Sequence, residues 1–348
     1  LHDEYPAVNI LVTDDVANEL LEETALRGIH TETSESETGD LRRSGPMTLF
    51  CGSIDDIVDK TDLIITLGGD GTILRAVSTF LNASVPPVLS FALGTLGFLL
   101  PFDFSTAAET FRMVYESRGQ ALHRTRLECY VVRNLDVIEP EYSIRARQEQ
   151  NERSKQVQRS TMVHAMNDIS LHRGSQPNLT ALDVYIDGTL LTTTTADGLV
   201  FLSPTGSTAY SLSAGGSIAH PLVQCILATP ICPRSLSFRP LILPSTSHIM
   251  IKMLERGRNT NVKLSIDGIS QPDLNMGDEI HVVCESGTIY RPGAEPELAI
   301  QRNGGGGKDS EKQAKAKYKG IWCLARSETD WTNDINELLG FNLSFGQK

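Results

Sequence analysis

The chain has 348 residues, 40% of them hydrophobic and 21% charged, with 28 glycines and 16 prolines. That length exceeds one typical domain and falls short of three, so two cores are expected, and the composition excludes wholesale disorder and collagen-like or low-complexity sequence. Acidic residues outnumber basic ones 43 to 31, for a net charge of -12; such a field repels nucleic acid and anionic lipid, so neither is expected as a partner.

Six cysteines are scattered without a CxxC pair or a histidine cluster at zinc-ligand spacing, which predicts plain thiols in a reducing compartment. The longest stretch free of charge, residues 198–233, is broken by Ser, Thr, Gly and Pro. It has no apolar run near the ~20 residues of a membrane span, so no membrane insertion is expected. The chain opens with Leu1 and the acidic pair Asp3 and Glu4, and no targeting segment is expected within it.

Short apolar runs at residues 8–12, 63–67 and 88–91 alternate with helical stretches over 15–27 and after Thr72. Strands that are apolar throughout and separated by helices predict a parallel sheet covered on both faces, here a Rossmann-like α/β domain over residues 1–104. A further helix is expected over 104–118, begun by Ser105 and Thr106 and stopped near Gly119. From about residue 122 the period becomes two, as in residues 182–187 and 262–267, and each of these runs ends in Asp-Gly, a hairpin dipeptide. The expectation is a second, antiparallel β-sandwich domain over 105–300.

Residues 139–160 and 303–317 are too polar to bury a core and are expected to be surface insertions, with 301–320 a mobile linker. Within a tail over 321–348, residues 331–339 have helical spacing and stop before Gly340.

The most informative segment is Gly68-Gly69-Asp70-Gly71-Thr72, between a buried strand and a helix. A glycine-rich turn there aims backbone N–H groups and the positive end of a helix dipole at one point, where anions collect. It lacks the lysine of a Walker A loop, and Leu74 stands where a dinucleotide fingerprint has its third glycine. Asp70 is unusual in such a cradle, because a carboxylate repels a phosphate unless it binds a cation or takes up a proton. In phosphoryl transfer to an alcohol, a positioned Asp accepts the hydroxyl proton while backbone amides and Mg2+ hold the departing phosphates, which makes Asp70 the candidate general base. The alternative is a turn in which glycine provides left-handed angles and Asp70 only caps the helix.

A second region, residues 192–216, offers many hydroxyls and small side chains around the single carboxylate Asp197. It could hydrogen-bond a sugar-bearing ligand on several edges, or be a Ser/Thr-rich β edge with turns. Asn167 and Asp168 place an amide beside a carboxylate, a pair able to clasp ribose hydroxyls, though such pairs are also common in turns. Arg124, Arg126, Arg173, Arg234 and Arg239 could pair with phosphates, or be ordinary solvated charges.

Together, Gly68–Thr72, Leu96-Gly97-Phe98, Asn167-Asp168, Asp197-Gly198 and the long run from Pro204 to Gly216 resemble the NAD kinase family. The segments from Phe91 to Phe98, His123 to Cys129, His164 to Asp168 and Ile335 to Asn342 resemble its fungal mitochondrial NADH kinase branch. The resemblance implies ATP-dependent phosphorylation of the adenosine-ribose 2'-hydroxyl of NADH or NAD, with Mg2+ or another divalent cation. It implies Asp70 as proton acceptor and Gly68, Gly69, Gly71 and Thr72 as the phosphate loop. Dinucleotide contacts would come from Asp70, Gly71, Phe98, Asn167, Asp168, Asp197, Thr208, Ala209, Tyr210 and Ser213. A homo-oligomer in the mitochondrial matrix is also implied, with the cytoplasm as the other location. Asp168 stands where many members have Glu, and Thr195 where bacterial members often have Arg, which raises Arg173 as a substitute counter-charge. A lipid kinase, sharing the glycine turn, and a non-catalytic dinucleotide sensor are the other readings.

Overall fold

A computed structural model describes residues 4–26, 49–80, 84–133, 163–254, 261–285 and 320–340. The two polar segments read as insertions, and the linker up to residue 319, lie outside these described residues.

The first domain runs β1 (Ile10–Val12), α1 (Asp14–Leu26), β2 (Leu49–Cys51), α2 (Ile54–Lys60), β3 (Ile64–Gly68), α3 (Asp70–Ser78), β4 (Val88–Ala92), β5 (Phe102–Asp103), α4 (Ala107–Tyr115) and β6 (Gln120–Arg124). The second contains β7 (Leu127–Val132), β8 (Val163–Ala165), β9 (Asp168–His172), β10 (Thr180–Ile186), β11 (Thr189–Ala196), β12 (Gly198–Leu202), α5 (Tyr210–Ser213), β13 (Cys225–Ile231), β14 (Leu241–Pro244), β15 (Ile249–Met253), β16 (Asn261–Ile266), β17 (Ile269–Asn275) and β18 (Glu279–Cys284). The chain ends in β19 (Ile321–Ala325) and α6 (Asp330–Leu339).

The main α/β sheet has the order β3-β4-β19-β6, with β5 also on β4. β3, β5 and β19 are parallel to β4, and β6 is antiparallel to β19. β4 is buried throughout, as an apolar strand in a doubly covered sheet should be. β3 differs from the expectation: Ile64 and Thr66 are buried while Ile65 and Leu67 are exposed. The physical reason is topological, because β1 and β2 pair with each other in a separate sheet and leave β3 on an edge. Two strands also extend this domain beyond the 1–104 span expected from sequence. β6 falls within the stretch assigned to the β domain, and β19 falls within the tail assigned to a helix.

The second domain is two six-stranded antiparallel sheets, β11-β10-β15-β18-β7-β8 and β14-β13-β12-β9-β16-β17. Period-two alternation sends Leu127, Cys129, Val131, Leu182, Val184, Ile280 and Val282 from one sheet, and Ile169, Leu171, Leu199, Phe201, Val262 and Leu264 from the other, into a shared core. Both Asp-Gly pairs make the expected tight turns, with φ of 50° and 80° at Asp187 and Gly188 and 49° and 78° at Asp267 and Gly268. β12 and β13 are buried on both faces. The chain after α5 folds back over their outer side, packing Ala214 and Ala219 on Val200, Leu202, Cys225 and Leu227.

The domains share packing. Met166 of the β domain joins Ile64, Ile73, Val88, Leu99 and Ile321 in one apolar cluster. Beside it, Arg126 forks onto Glu285, with Nε–Oε2 at 3.1 Å and Nη2–Oε1 at 2.7 Å, and donates from Nη1 to the Phe80 carbonyl at the end of α3. Glu128 and His164 lie against the same pair, 3.4 Å from each other. α6 ends on Gly340 in the left-handed conformation (φ 59°), as the sequence predicts, and sets Trp331 edge-on to His220 at 4.7 Å.

Arg126 and Glu285 are both almost fully buried. Substituting Arg126→Met strands the Glu285 carboxylate beside Glu128 and should cost roughly 3–5 kcal/mol of stability, read as a lower urea midpoint, with Arg126→Met/Glu285→Leu recovering most of it. An Arg126→Met midpoint equal to wild type would rule out this pair as a contributor to stability.

Candidate active site

The loop between β3 and α3 is shaped by its glycines. At Gly68 φ is +153°, and a side chain there would strike the Thr72 hydroxyl, so only glycine lets Thr72 fold back onto the strand end. Thr72 N–H donates to the Gly69 carbonyl at 2.9 Å, which closes the turn. A β-carbon at Gly69 or Gly71 would meet nothing within 4 Å, so one side of the loop is open. Gly69 caps α3 without a side chain. The first-turn N–H groups other than that of Thr72 therefore keep their capacity for an anion, and the helix dipole adds to it.

Asp70 is the first residue of α3, yet it does not cap that helix. Its carboxylate reaches across to the segment after β4, where it accepts the Leu99 N–H. It also lies so close to Gly97 that a β-carbon there would come within 2.8 Å of Oδ1. Asp70 is surface-accessible at the mouth of the loop. Even so, enough protein surrounds the carboxylate that partial burial raises its pKa, against the lowering effects of the Arg124 charge and the Leu99 N–H.

Arg124, at the end of β6, spans both domains: Nη2 donates to the Phe98 carbonyl at 2.9 Å and Nη1 to Thr205 Oγ1 at 3.3 Å. Phe98, half-buried, is thereby set opposite the Pro204–Thr208 turn of the β domain.

On the β side, three consecutive backbone N–H groups converge on the Asp267 carboxylate. Met166 donates to Oδ2 at 2.7 Å, and Asn167 and Asp168 donate to Oδ1 at 2.7 and 3.0 Å. The Ser203 hydroxyl donates to the Met166 carbonyl at 2.5 Å and Ser203 N–H to the Asn167 carbonyl at 3.0 Å. Gly206 lies directly on the Asn167 backbone, where any side chain would collide. Asn167, Asp168 and the turn after β12 are thus one rigid unit. Asn167 Oδ1 is buried and makes no hydrogen bond, an acceptor available to a ligand. Burial, and then the Asp267 charge, push the Asp168 carboxyl up to about 7.

Tyr210 stands exposed at the start of α5. Burial of part of the ring raises its hydroxyl pKa, and the charges of Cys232, Asp168 and Asp197 act in the same direction, which groups these side chains around one rim. Thr208 and Ala209 are half-buried beside it and Ser213 is exposed. Asp197 accepts from Arg173 Nε at 2.5 Å, and Arg173 also donates to the Gln176 carbonyl. Arg173 is therefore engaged by Asp197, contrary to the role of free counter-charge considered for it. Arg126 is engaged by Glu285, and Arg234 and Arg239 are exposed.

Sequence reasoning missed Asp267, which it took only for a hairpin residue. Asp187, in the other Asp-Gly turn, likewise accepts the His248 N–H at 2.8 Å. A left-handed Asp frees its carboxylate to reach a neighbouring segment, but nothing in an Asp-Gly dipeptide says which segment that is.

Two family descriptions match the chain, the ATP-NAD kinase N-terminal domain over residues 2–119 and the ATP-NAD kinase C-terminal domain over residues 166–289. The chain is 51% identical to the mitochondrial NADH kinase POS5 of Saccharomyces cerevisiae, across 99% of this chain and 76% of that protein. It is 38% identical to the mitochondrial NADH kinase pos5 of Schizosaccharomyces pombe, across 90% of this chain and 68% of that one. The crystal structure of yeast NADH kinase complexed with NADH superposes with a TM-score of 0.78 at 48% identity, covering 100% of this chain and 83% of that chain. A chain that carries both of these domains in order, with an open glycine loop between β3 and α3, admits one classification: the protein belongs to the NAD kinase family.

Proposed function

We propose that this protein transfers the γ-phosphoryl group of ATP to the adenosine-ribose 2'-hydroxyl of NADH and NAD, giving NADPH and NADP. The observation that carries the reading is the placement of Asp70, which leaves its own helix uncapped and lies across the mouth of an open phosphate loop, held by Leu99 N–H. In this role Asp70 accepts the hydroxyl proton as the ribose oxygen bonds to phosphorus, and the bond to the ADP oxygen breaks. The N–H groups of the Gly68–Thr72 loop hold the donor phosphates. Asn167 Oδ1 and the Asp168 carboxylate accept hydrogen bonds from the dinucleotide, Phe98 lines one side of it, and Thr208, Ala209, Tyr210, Ser213 and Asp197 line the rim. NADH as acceptor is supported by both mitochondrial relatives, which are NADH kinases, and by the NADH-bound neighbour.

A divalent cation fits as a companion of the nucleotide. Mg2+ takes one or two carboxylates and keeps the rest of its shell as water and phosphate oxygen. Among the described residues no group of three protein ligands gathers at the loop, so the ion's shell there would come mainly from water and phosphate oxygen. When bound, the ion would neutralise charge on the donor phosphates. We place the enzyme in mitochondria and as a homo-oligomer on the same resemblance. The exposed Leu190, Leu191, Leu222, Leu236 and Ile242 of the β domain support assembly, and light scattering of the purified protein tests it. No helix among the described residues is long and apolar enough to cross a membrane.

Asp70→Asn should retain NADH binding and the fold while turnover falls about 10²-fold or more, measured as NADPH formed from NADH, ATP and Mg2+. Normal NADPH production by this variant would remove Asp70 from its role. Asp168 yields a separate expectation. Its carboxyl is pushed up to about 7 in the free protein, and accepting hydroxyl donors favours the charged form, so NADH binding near neutral pH should release a fraction of a proton. Calorimetry in buffers of different ionisation enthalpy reads that release, and Asp168→Asn should abolish it. The sign for stability follows from the same shift. The folded state holds a proton that the unfolded chain loses at its ordinary value of 3.8, so this group's contribution falls as pH rises from about 4 to about 7.

A further inference from the structure

Arg124 is a buried cation of an unusual kind. It is 8% exposed, its Nε makes no hydrogen bond, and among the described residues it makes no ion pair, its partners including the Phe98 carbonyl and the Thr205 hydroxyl. The Cys323 thiol of β19 lies against it. A buried guanidinium satisfied only by neutral acceptors is costly, so a well-packed apolar side chain would serve the fold better. Its position instead follows the chemistry. The Gly97–Leu99 segment lies between Asp70 and Arg124: Asp70 rests on Gly97 and takes the Leu99 N–H, while Arg124 holds the carbonyl of the intervening Phe98. The other arm of the same guanidinium holds Thr205, which begins the 3-10 turn packed on Asn167.

We infer that Arg124 is a positioning residue for phosphoryl transfer: one planar guanidinium fixes the segment that supports Asp70 to the turn that supports Asn167 and Asp168, so base and acceptor face each other across the two domains in a single geometry. The inference rests on the reading of Asp70 as general base. Among the described residues, Arg124 is also the charged group whose field acts on the Asp70 carboxylate, so its removal has a signature that simple loosening lacks.

The test compares Arg124→Lys, Arg124→Met and Asp70→Asn with wild type for kcat and KM over pH, NADH binding by fluorescence, and melting temperature. Arg124→Met should lower kcat about 10- to 100-fold, as expected for a small misplacement of reacting groups, with NADH binding close to wild type. The acid limb of its kcat profile should move to higher pH, because an Asp70 without a neighbouring cation keeps its proton longer. Arg124→Lys should leave the acid limb in place and still lose kcat, since one ammonium cannot reproduce the two-armed fork; should Arg124→Met fail to fold, the lysine variant carries the test. Wild-type kcat in Arg124→Lys, or an unmoved acid limb in a folded Arg124→Met, overturns the inference while an inactive Asp70→Asn leaves the general base standing. A fully active Asp70→Asn overturns both.

Discussion

A single buried carboxylate organises the β-domain side of the candidate site. Asp267 gathers the N–H groups of Met166, Asn167 and Asp168, and from that arrangement the rest of the half-site follows. Three amides in a row cannot all point at one spot in an extended strand, so the chain must turn there, and the turn delivers two polar side chains to the cleft. Ser203 then fastens the end of β12 to the same backbone, and Gly206 seats the following turn on it. Desolvation works against the charge on Asp267, and the three donors and the more distant Arg126 work for it. The consequence for its neighbour is direct: Asp168 sits beside a second carboxylate in a poorly solvated place, and its affinity for a proton rises accordingly.

The donor side is built differently. There no side chain organises the loop, and its geometry comes from the missing β-carbon of Gly68, while Gly69 and Gly71 leave one side open. Asp70 is the exception, and its carboxylate leans on a segment from another part of the sheet rather than on its own helix. The two sides therefore depend on the relative placement of elements remote in sequence, and a misalignment of the domains by about an ångström would separate base from acceptor. The inter-domain packing around Met166 and the hydrogen bond from Arg126 to the Phe80 carbonyl act against such slippage.

Much of this was legible in the residues because the signals were local. The period-two runs and Asp-Gly pairs located the hairpins of the sandwich, and the glycine turn after an apolar strand located the open loop between β3 and α3. Within the long Pro204–Gly216 run, Gly206 and Gly216 are pressed against neighbours and Ser211 is hydrogen-bonded to Thr229 at 2.8 Å. What was not legible was pairing over distance. The carboxylate of Asp267 meets its partners about a hundred residues away, Arg173 is engaged by Asp197 rather than left free, and the apolar run of β3 concealed an edge strand with Ile65 and Leu67 open. β19 was assigned to a tail because a short apolar run isolated at the end of a chain does not reveal which sheet it enters.

That last strand shapes how the protein is made. β19 lies between β4 and β6, inside the sheet rather than on its rim. A chain emerging from the ribosome can close its β-sandwich as soon as β18 is out, but its first domain waits with a gap at the centre until residues 321–325 appear. Of the two domains the one synthesised first is thus the one completed last, and during that interval the edges of β4 and β6 that face β19 stay unpaired, the kind of exposure that favours misassembly.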